Sequence, residues 1–117
     1  MALKDSIRIG NITLNNRLAL APAATNKSDK GTVTDALIEH YRVRSQGGVP
    51  GLIITEHCYV REDGRAGTNQ VSVSRDEDVI GLSELAKAVK SNGSSIIMQI
   101  SHAGAAIKAA VVDHEGR

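Results

Sequence analysis

Gly51-Leu52-Ile53-Ile54-Thr55, followed at once by Glu56-His57-Cys58, is the stretch on which the fold turns. The run is apolar without alternation, the pattern of a parallel strand covered on both faces. Upstream, Thr34 suits a helix N-cap and Asp35 the first turn. Leu37, Ile38, Tyr41 and Ser45 share one helical face, and Gly47-Gly48 closes the helix. Further upstream, Leu18-Ala19-Leu20-Ala21 is a short apolar run ended by Pro22, and the polar segment Ala23–Val33 reads as a loop. Before it, Ile7-Arg8-Ile9 and Ile12-Thr13-Leu14 flank Gly10-Asn11, which predicts a small hairpin. Downstream, a charged, glycine-rich loop is expected from Glu56 to about Asp78. Leu82, Leu85, Ala86 and Val89 then mark an amphipathic helix, closed by Asn92-Gly93. Ser95-Ile96-Ile97-Met98-Gln99-Ile100 is a third strand, and Ala105–Val112 could open another helix.

The pattern is a hairpin followed by β-α-β-α-β, with parallel strands near residues 18–21, 51–55 and 95–100. Helical crossovers imply an α/β architecture with right-handed connections. A (β/α)₈ barrel and a doubly wound sheet both fit this periodicity. A full barrel takes about 250 residues, so 117 residues would hold under half of one.

Composition narrows the function. Lys and Arg number 14 against 13 Asp and Glu, for a formal net charge of +1, and the basic residues are scattered. That excludes an electrostatic footprint for nucleic acid or an anionic membrane. Two tyrosines are the only aromatic residues, so no stacking platform for bases is expected. The N-terminus lacks an apolar signal region, and no run approaches the ~20 apolar residues of a membrane span. The single cysteine, Cys58, excludes an internal disulfide. A cytoplasmic protein is the expectation.

In α/β folds ligands collect at the carboxyl ends of strands. Three loci follow: Ala21-Pro22-Ala23-Ala24-Thr25-Asn26, Glu56-His57-Cys58 and Gln99-Ile100-Ser101-His102-Ala103-Gly104. Gln99 stands inside an apolar strand, and its amide offers donors and an acceptor together; a core glutamine satisfied by backbone is the plain alternative. His102 is as well explained by structure as by catalysis. Glu56, His57, Cys58 and His102 are all competent zinc ligand types. No HxH, CxxC or HExxH spacing joins them, so no metal is assigned. Gly47-Gly48-Val49-Pro50-Gly51 precedes a strand, so it is no dinucleotide fingerprint.

The three loci together resemble one family. Ile9-Gly10-Asn11-Ile12-Thr13-Leu14-Asn15-Asn16-Arg17 looks like the "IGNLTLKNR" entry of old-yellow-enzyme-like NADH:flavin oxidoreductases. Ala21–Asn26 resembles their flavin loop, Gly51–Glu56 their second strand, and Gly64-Arg65 the "GR" after it. Gln99–Gly104 resembles the "QLxHAG" third strand. The motifs occur in order over almost the whole chain.

The resemblance implies an FMN-binding (β/α)₈ barrel, of which residues 1–117 would be the incomplete N-terminal part: the hairpin and about three βα units. It implies hydride transfer from NADH or NADPH through FMN to an electron-poor alkene. Ala21, Pro22, Ala23 and Ala24 would line the isoalloxazine, largely by backbone. Ala24 falls where many members carry a Thr or Cys that tunes the flavin, and His57 where a small residue usually packs. Gln99 would bind the pyrimidine end of the ring, and Asn26 would border the substrate. Ala105 replaces an arginine often found after "HAG". No catalytic residue is assigned, because the family's substrate-gripping pair lies on its fourth strand and its phosphate anchor on its seventh and eighth. The 117 residues alone are therefore expected to be inactive, with open barrel edges prone to self-association. A non-enzymatic self-assembling fragment and a metal-dependent barrel hydrolase are the rival readings.

Overall fold

The computed structural model describes residues 2–106. Two short strands, β1 (Ile7–Ile9) and β2 (Ile12–Leu14), pair antiparallel with Ile9 opposite Ile12. Gly10-Asn11 is therefore the whole turn, as predicted. Gly10 has φ 59°, a left-handed conformation that glycine takes without steric cost at the first central position of a two-residue hairpin turn.

The chain continues through β3 (Ala19–Leu20), α1 (Asp35–Arg44), β4 (Leu52–Tyr59), β5 (Val71–Ser72), α2 (Asp78–Ser91) and β6 (Ser95–Ser101). β3 and β6 both run parallel to β4, with Leu20 beside Ile53 and Ile53 beside Ile96. The three expected strands are thus parallel and in sequence order. The short β5 adds a parallel pairing at Cys58 and Tyr59.

One core forms where the helices meet the sheet. Leu37 and Tyr41 of α1 and Leu85 and Val89 of α2 pack with Ile53, Cys58 and Val71. Burying each of the larger aliphatic side chains stabilises by about 1.5–3 kcal/mol. The helical faces read from the sequence are therefore the packed faces. α1 begins where expected: the Thr34 hydroxyl accepts from the Leu37 backbone N–H at 3.1 Å. Thr34→Ala is expected to cost about 1 kcal/mol, measured as a lower urea midpoint at unchanged slope.

The hairpin's exit ties down the amino ends of the strands. Buried Asn16 accepts from the N–H of Gly51 at 2.7 Å and of Leu18 at 3.0 Å, and donates to the Gly48 carbonyl at 3.0 Å. A Cβ on Gly51 would sit 2.7 Å from the Asn16 Oδ1, so the close approach requires glycine there. Asn15 donates to the Gly93 carbonyl at 2.9 Å, just before β6. The opposite, carboxyl end of the sheet is left for a site.

Several expectations need correction. The second strand does not stop at Thr55; β4 runs on to Tyr59. A 3-10 turn (Glu62–Gly64) and β5 then interrupt the expected loop. The strand continues through polar residues because side chains supply the hydrogen bonds that the ladder loses there. β6 is not covered on both faces: Ile97, Met98 and Ile100 are 44%, 40% and 63% exposed, since the described helices pack against Ile53 and Ile96 and leave its far part bare. The helix expected over Ala105–Val112 lies, from residue 107 onward, outside the described residues; Gly104–Ala106 form a 3-10 turn.

Candidate functional site

The site begins with an irregularity in β4. Ile54 lies opposite Ile97 and His57 opposite Gln99, so β4 takes three steps where β6 takes two. This is a bulge of one extra residue at Thr55-Glu56. Its backbone is satisfied by side chains. Gln99 N–H donates to the Thr55 Oγ1 at 3.1 Å, and Glu56 N–H donates to the Tyr41 hydroxyl at 2.8 Å.

The bulge fixes which way the site residues face. Ile53 and Cys58 both pack in the helix-side core, yet residues five apart in a regular strand point to opposite faces. The extra residue removes that conflict. His57, adjacent to Cys58, therefore faces away from the helices, as does its register partner Gln99. Ala21 directly follows the end of β3 and lines a cavity with Ala23, Ala24, His40, Tyr41 and Arg44. The structure thus brings His57 and Gln99 to one face near the carboxyl end, with Ala21 at the carboxyl end of the neighbouring strand.

Glu56 departs from the expectation that it would end the second strand beside Ala21 and Gln99. It lies inside β4 and is 2% exposed. The Tyr41 hydroxyl donates to its Oε2 at 2.8 Å, and the Thr25 hydroxyl lies 3.0 Å from each carboxylate oxygen. Burial, the largest cause, together with the neighbouring Glu56 charge pushes the Tyr41 hydroxyl well above its ordinary pKa.

Ala21, Pro22, Ala23 and Ala24 are exposed and without regular secondary structure between β3 and Thr25. The backbone N–H groups of Ala23 and Ala24 donate to no partner among the described residues. Asn26 is exposed with φ 58°, a left-handed conformation that asparagine tolerates better than most residues. The Gln99 side chain is exposed, and its amide makes no hydrogen bond among the described residues. A core glutamine satisfied by backbone is therefore not what β6 carries.

His102 finds a structural setting. Its ring lies so close to Gly64 that a Cβ there would clash with it. Its Nδ1 accepts from Gly104 N–H at 3.1 Å, and Ala103 N–H donates to the Gly64 carbonyl at 2.8 Å. The two glycine motifs after β4 and β6 thus lock together. Gln70 reinforces this by donating to the His57 carbonyl at 3.3 Å and to the Ser101 hydroxyl at 3.2 Å. Arg65 stacks its guanidinium 5.9 Å from the Tyr59 ring centroid. Sequence reasoning placed Thr25 and Glu56 in the candidate loci without a supporting role and missed Tyr41 and Gln70 as site supports; Tyr41 was marked only by its hydroxyl on an otherwise apolar helix face, and Gln70 by nothing.

The conceivable metal ligands diverge. Cys58 lies in the core, Glu56 turns toward α1, His57 faces the other way and His102 rests on Gly64. Burial also pushes the Cys58 thiol up to about 11, so it is no ready nucleophile.

The family model described as NADH:flavin oxidoreductase / NADH oxidase matches residues 3–116. The chain belongs to this family. It is 45% identical over 99 residues to an NADH oxidase of Thermoanaerobacter brockii, covering 83% of this chain and 15% of that protein. It is 41% identical over 92 residues to an NADH:fumarate oxidoreductase of Klebsiella pneumoniae, covering 78% of this chain and 10% of that protein. The solved old yellow enzyme homologue of Zymomonas mobilis superposes with a TM-score of 0.86 at 26% identity, over 95% of this chain and 31% of its own. The family's cofactor is FMN, with NADH or NADPH as hydride donor. The likeness also settles the choice of fold: β3, β4 and β6 with their helices are the opening strands of a (β/α)₈ barrel.

The residues present fit a flavin ring. An isoalloxazine offers donors and acceptors along its pyrimidine edge, and the unengaged Gln99 amide can match both. The exposed Ala21–Ala24 segment carries no bulky side chain, and its free N–H groups can meet ring acceptors.

Proposed function

We propose that residues 1–117 are the N-terminal part of the FMN-binding barrel domain of a cytoplasmic ene-reductase. FMN, when bound, accepts hydride from NADH or NADPH and passes it to an electron-poor alkene. Gln99 holds the pyrimidine end of the ring through its amide. Ala21, Pro22, Ala23 and Ala24 support the ring along their backbone, His57 flanks it beside Gln99, and Asn26 borders the alkene. The protein's part is orientation and electrostatics around the cofactor. The observation that carries this reading is Gln99, an unengaged amide inside an apolar strand on the face it shares with His57. The choice of alkene draws support from the relative named an NADH:fumarate oxidoreductase, since fumarate is an electron-poor alkene.

The 117 residues alone are expected to bind FMN weakly and to turn over no alkene. A few ring hydrogen bonds, each worth about 1 kcal/mol net, do not offset the ordering cost of binding. The bare edge and faces of β6 favour self-association of the isolated chain instead.

Fluorescence titration with FMN tests the reading, run on this chain and on the longer protein we propose, each beside Gln99→Ala. The longer protein should lose about tenfold in affinity, the equivalent of ~1.4 kcal/mol, and should oxidise NADPH with an enone. An unchanged affinity in Gln99→Ala would remove Gln99 from the site. Submicromolar binding by the 117 residues alone would show that three strands suffice.

A further inference from the structure

We propose that Glu56 is a positioning residue that holds the Ala21–Ala24 segment in the conformation on which the flavin rests. The role in flavin binding rests on the function proposed above; the clamp itself rests on geometry alone. Glu56 is a buried carboxylate with no cation within 4 Å among the described residues. An unpaired buried carboxylate is costly unless hydrogen bonds surround it. Here they do, and they come from α1 and from the segment after Ala24, which the Thr34 hydroxyl also ties to the α1 N-terminus by donating to the Lys27 carbonyl. Tyr41 of α1 donates to Oε2 at 2.8 Å. The Thr25 hydroxyl lies 3.0 Å from both oxygens, and Thr25 N–H donates to Oε1 at 3.4 Å. Lys27 N–H in turn donates to the Thr25 Oγ1 at 3.2 Å.

The carboxylate is itself fixed at its root. The bulge at Thr55-Glu56 turns it toward α1, and the Tyr41 hydroxyl that donates to it also receives the Glu56 backbone N–H at 2.8 Å. Position therefore passes from the rigid pair of β4 and α1 through one side chain to Thr25, directly after Ala24. Described hydrogen bonds hold the segment on its far side only at Thr25, since Ala23 and Ala24 donate to nothing.

The donor pattern makes a demand that shape alone does not. Tyr41 has one hydroxyl proton and gives it to Oε2, while both Thr25 donors point at the carboxylate. Only a group that accepts on both atoms satisfies them. Glutamine has the same size but presents an NH₂ on one side. Turned to Thr25, that NH₂ meets the Thr25 N–H; turned to Tyr41, it leaves the tyrosine proton without an acceptor.

The test compares Glu56→Gln with Thr25→Val and Thr25→Ser by amide hydrogen exchange, and by FMN titration of the protein that binds FMN. Glu56→Gln and Thr25→Val should each speed exchange at Thr25 and Lys27 at least tenfold, with the amides of α1 unchanged. Each should weaken FMN binding at least tenfold, and Thr25→Ser should restore both readouts. Should Glu56→Gln fail to fold, Thr25→Val reads the same contact from the exposed side. Exchange rates at Thr25 and Lys27 within twofold of the wild type would overturn the clamp. Faster exchange with unchanged FMN affinity would overturn its role in positioning. A parent protein that binds no FMN would refute the flavin reading and with it that role, while the exchange data would still decide the clamp.

Discussion

Asn16→Ala is expected to lower the free energy of unfolding by about 3 kcal/mol, because it orphans buried backbone groups at 1–3 kcal/mol each. The asparagine accepts from Gly51 and Leu18 and donates to Gly48, all across the amino ends of β3 and β4. Alanine can replace none of these bonds, and the glycine at 51 leaves no side chain to fill the gap. Water entry would recover part of the loss, which is why the figure is less than the full sum. Asn16→Asp separates the contributions: it keeps both acceptor contacts and sets a carboxylate against the Gly48 carbonyl, so its loss should fall between alanine and wild type. Urea unfolding at constant slope measures both. A loss under about 1 kcal/mol for Asn16→Ala would mean that ordered water serves these groups equally well.

Tyr41→Phe should cost a similar amount, about 3 kcal/mol, by stranding groups that cannot reach solvent. The ring stays, so the packing of Tyr41 against Leu37 and Ile53 in the core is preserved. Only the hydroxyl is lost, and with it the acceptor for Glu56 N–H and the donor to Glu56 Oε2. Tyr41 is 3% exposed and Glu56 2%, which leaves little room for water to substitute. Thermal or urea unfolding reads the loss directly. A variant as stable as the wild type would show that the bulge does not depend on the Tyr41 hydroxyl.

Much of this architecture is written locally. Gly10-Asn11 specifies its turn, Thr34 its cap, and the spacing of Leu37, Tyr41, Leu85 and Val89 the buried faces of both helices. Each signal lies within a few residues of the structure it dictates. The bulge is different. Thr55-Glu56-His57 reads as the polar end of a strand, because the hydroxyl that satisfies Glu56 comes from Tyr41, on another element. The docking of His102 onto Gly64 is hidden for the same reason: only the finished sheet brings the two loops together. At the candidate site, Gln99 stands out as the polar residue of an apolar run. Ala21–Ala24, His57 and Asn26 carry no such mark, and their roles rest on family likeness.

The extra residue in β4 also bears on how this region can be altered. The strand is two rulers joined at Thr55-Glu56, each keeping its own alternation of faces. Deleting one residue at the joint would leave Ile53 and Cys58 four apart, which face the same way in an unbroken strand, so His57 and Cys58 would keep their faces while the buried carboxylate between Tyr41 and Thr25 lost its place. The extra residue therefore adds an inward anchor to the strand without altering what the strand presents at its mouth.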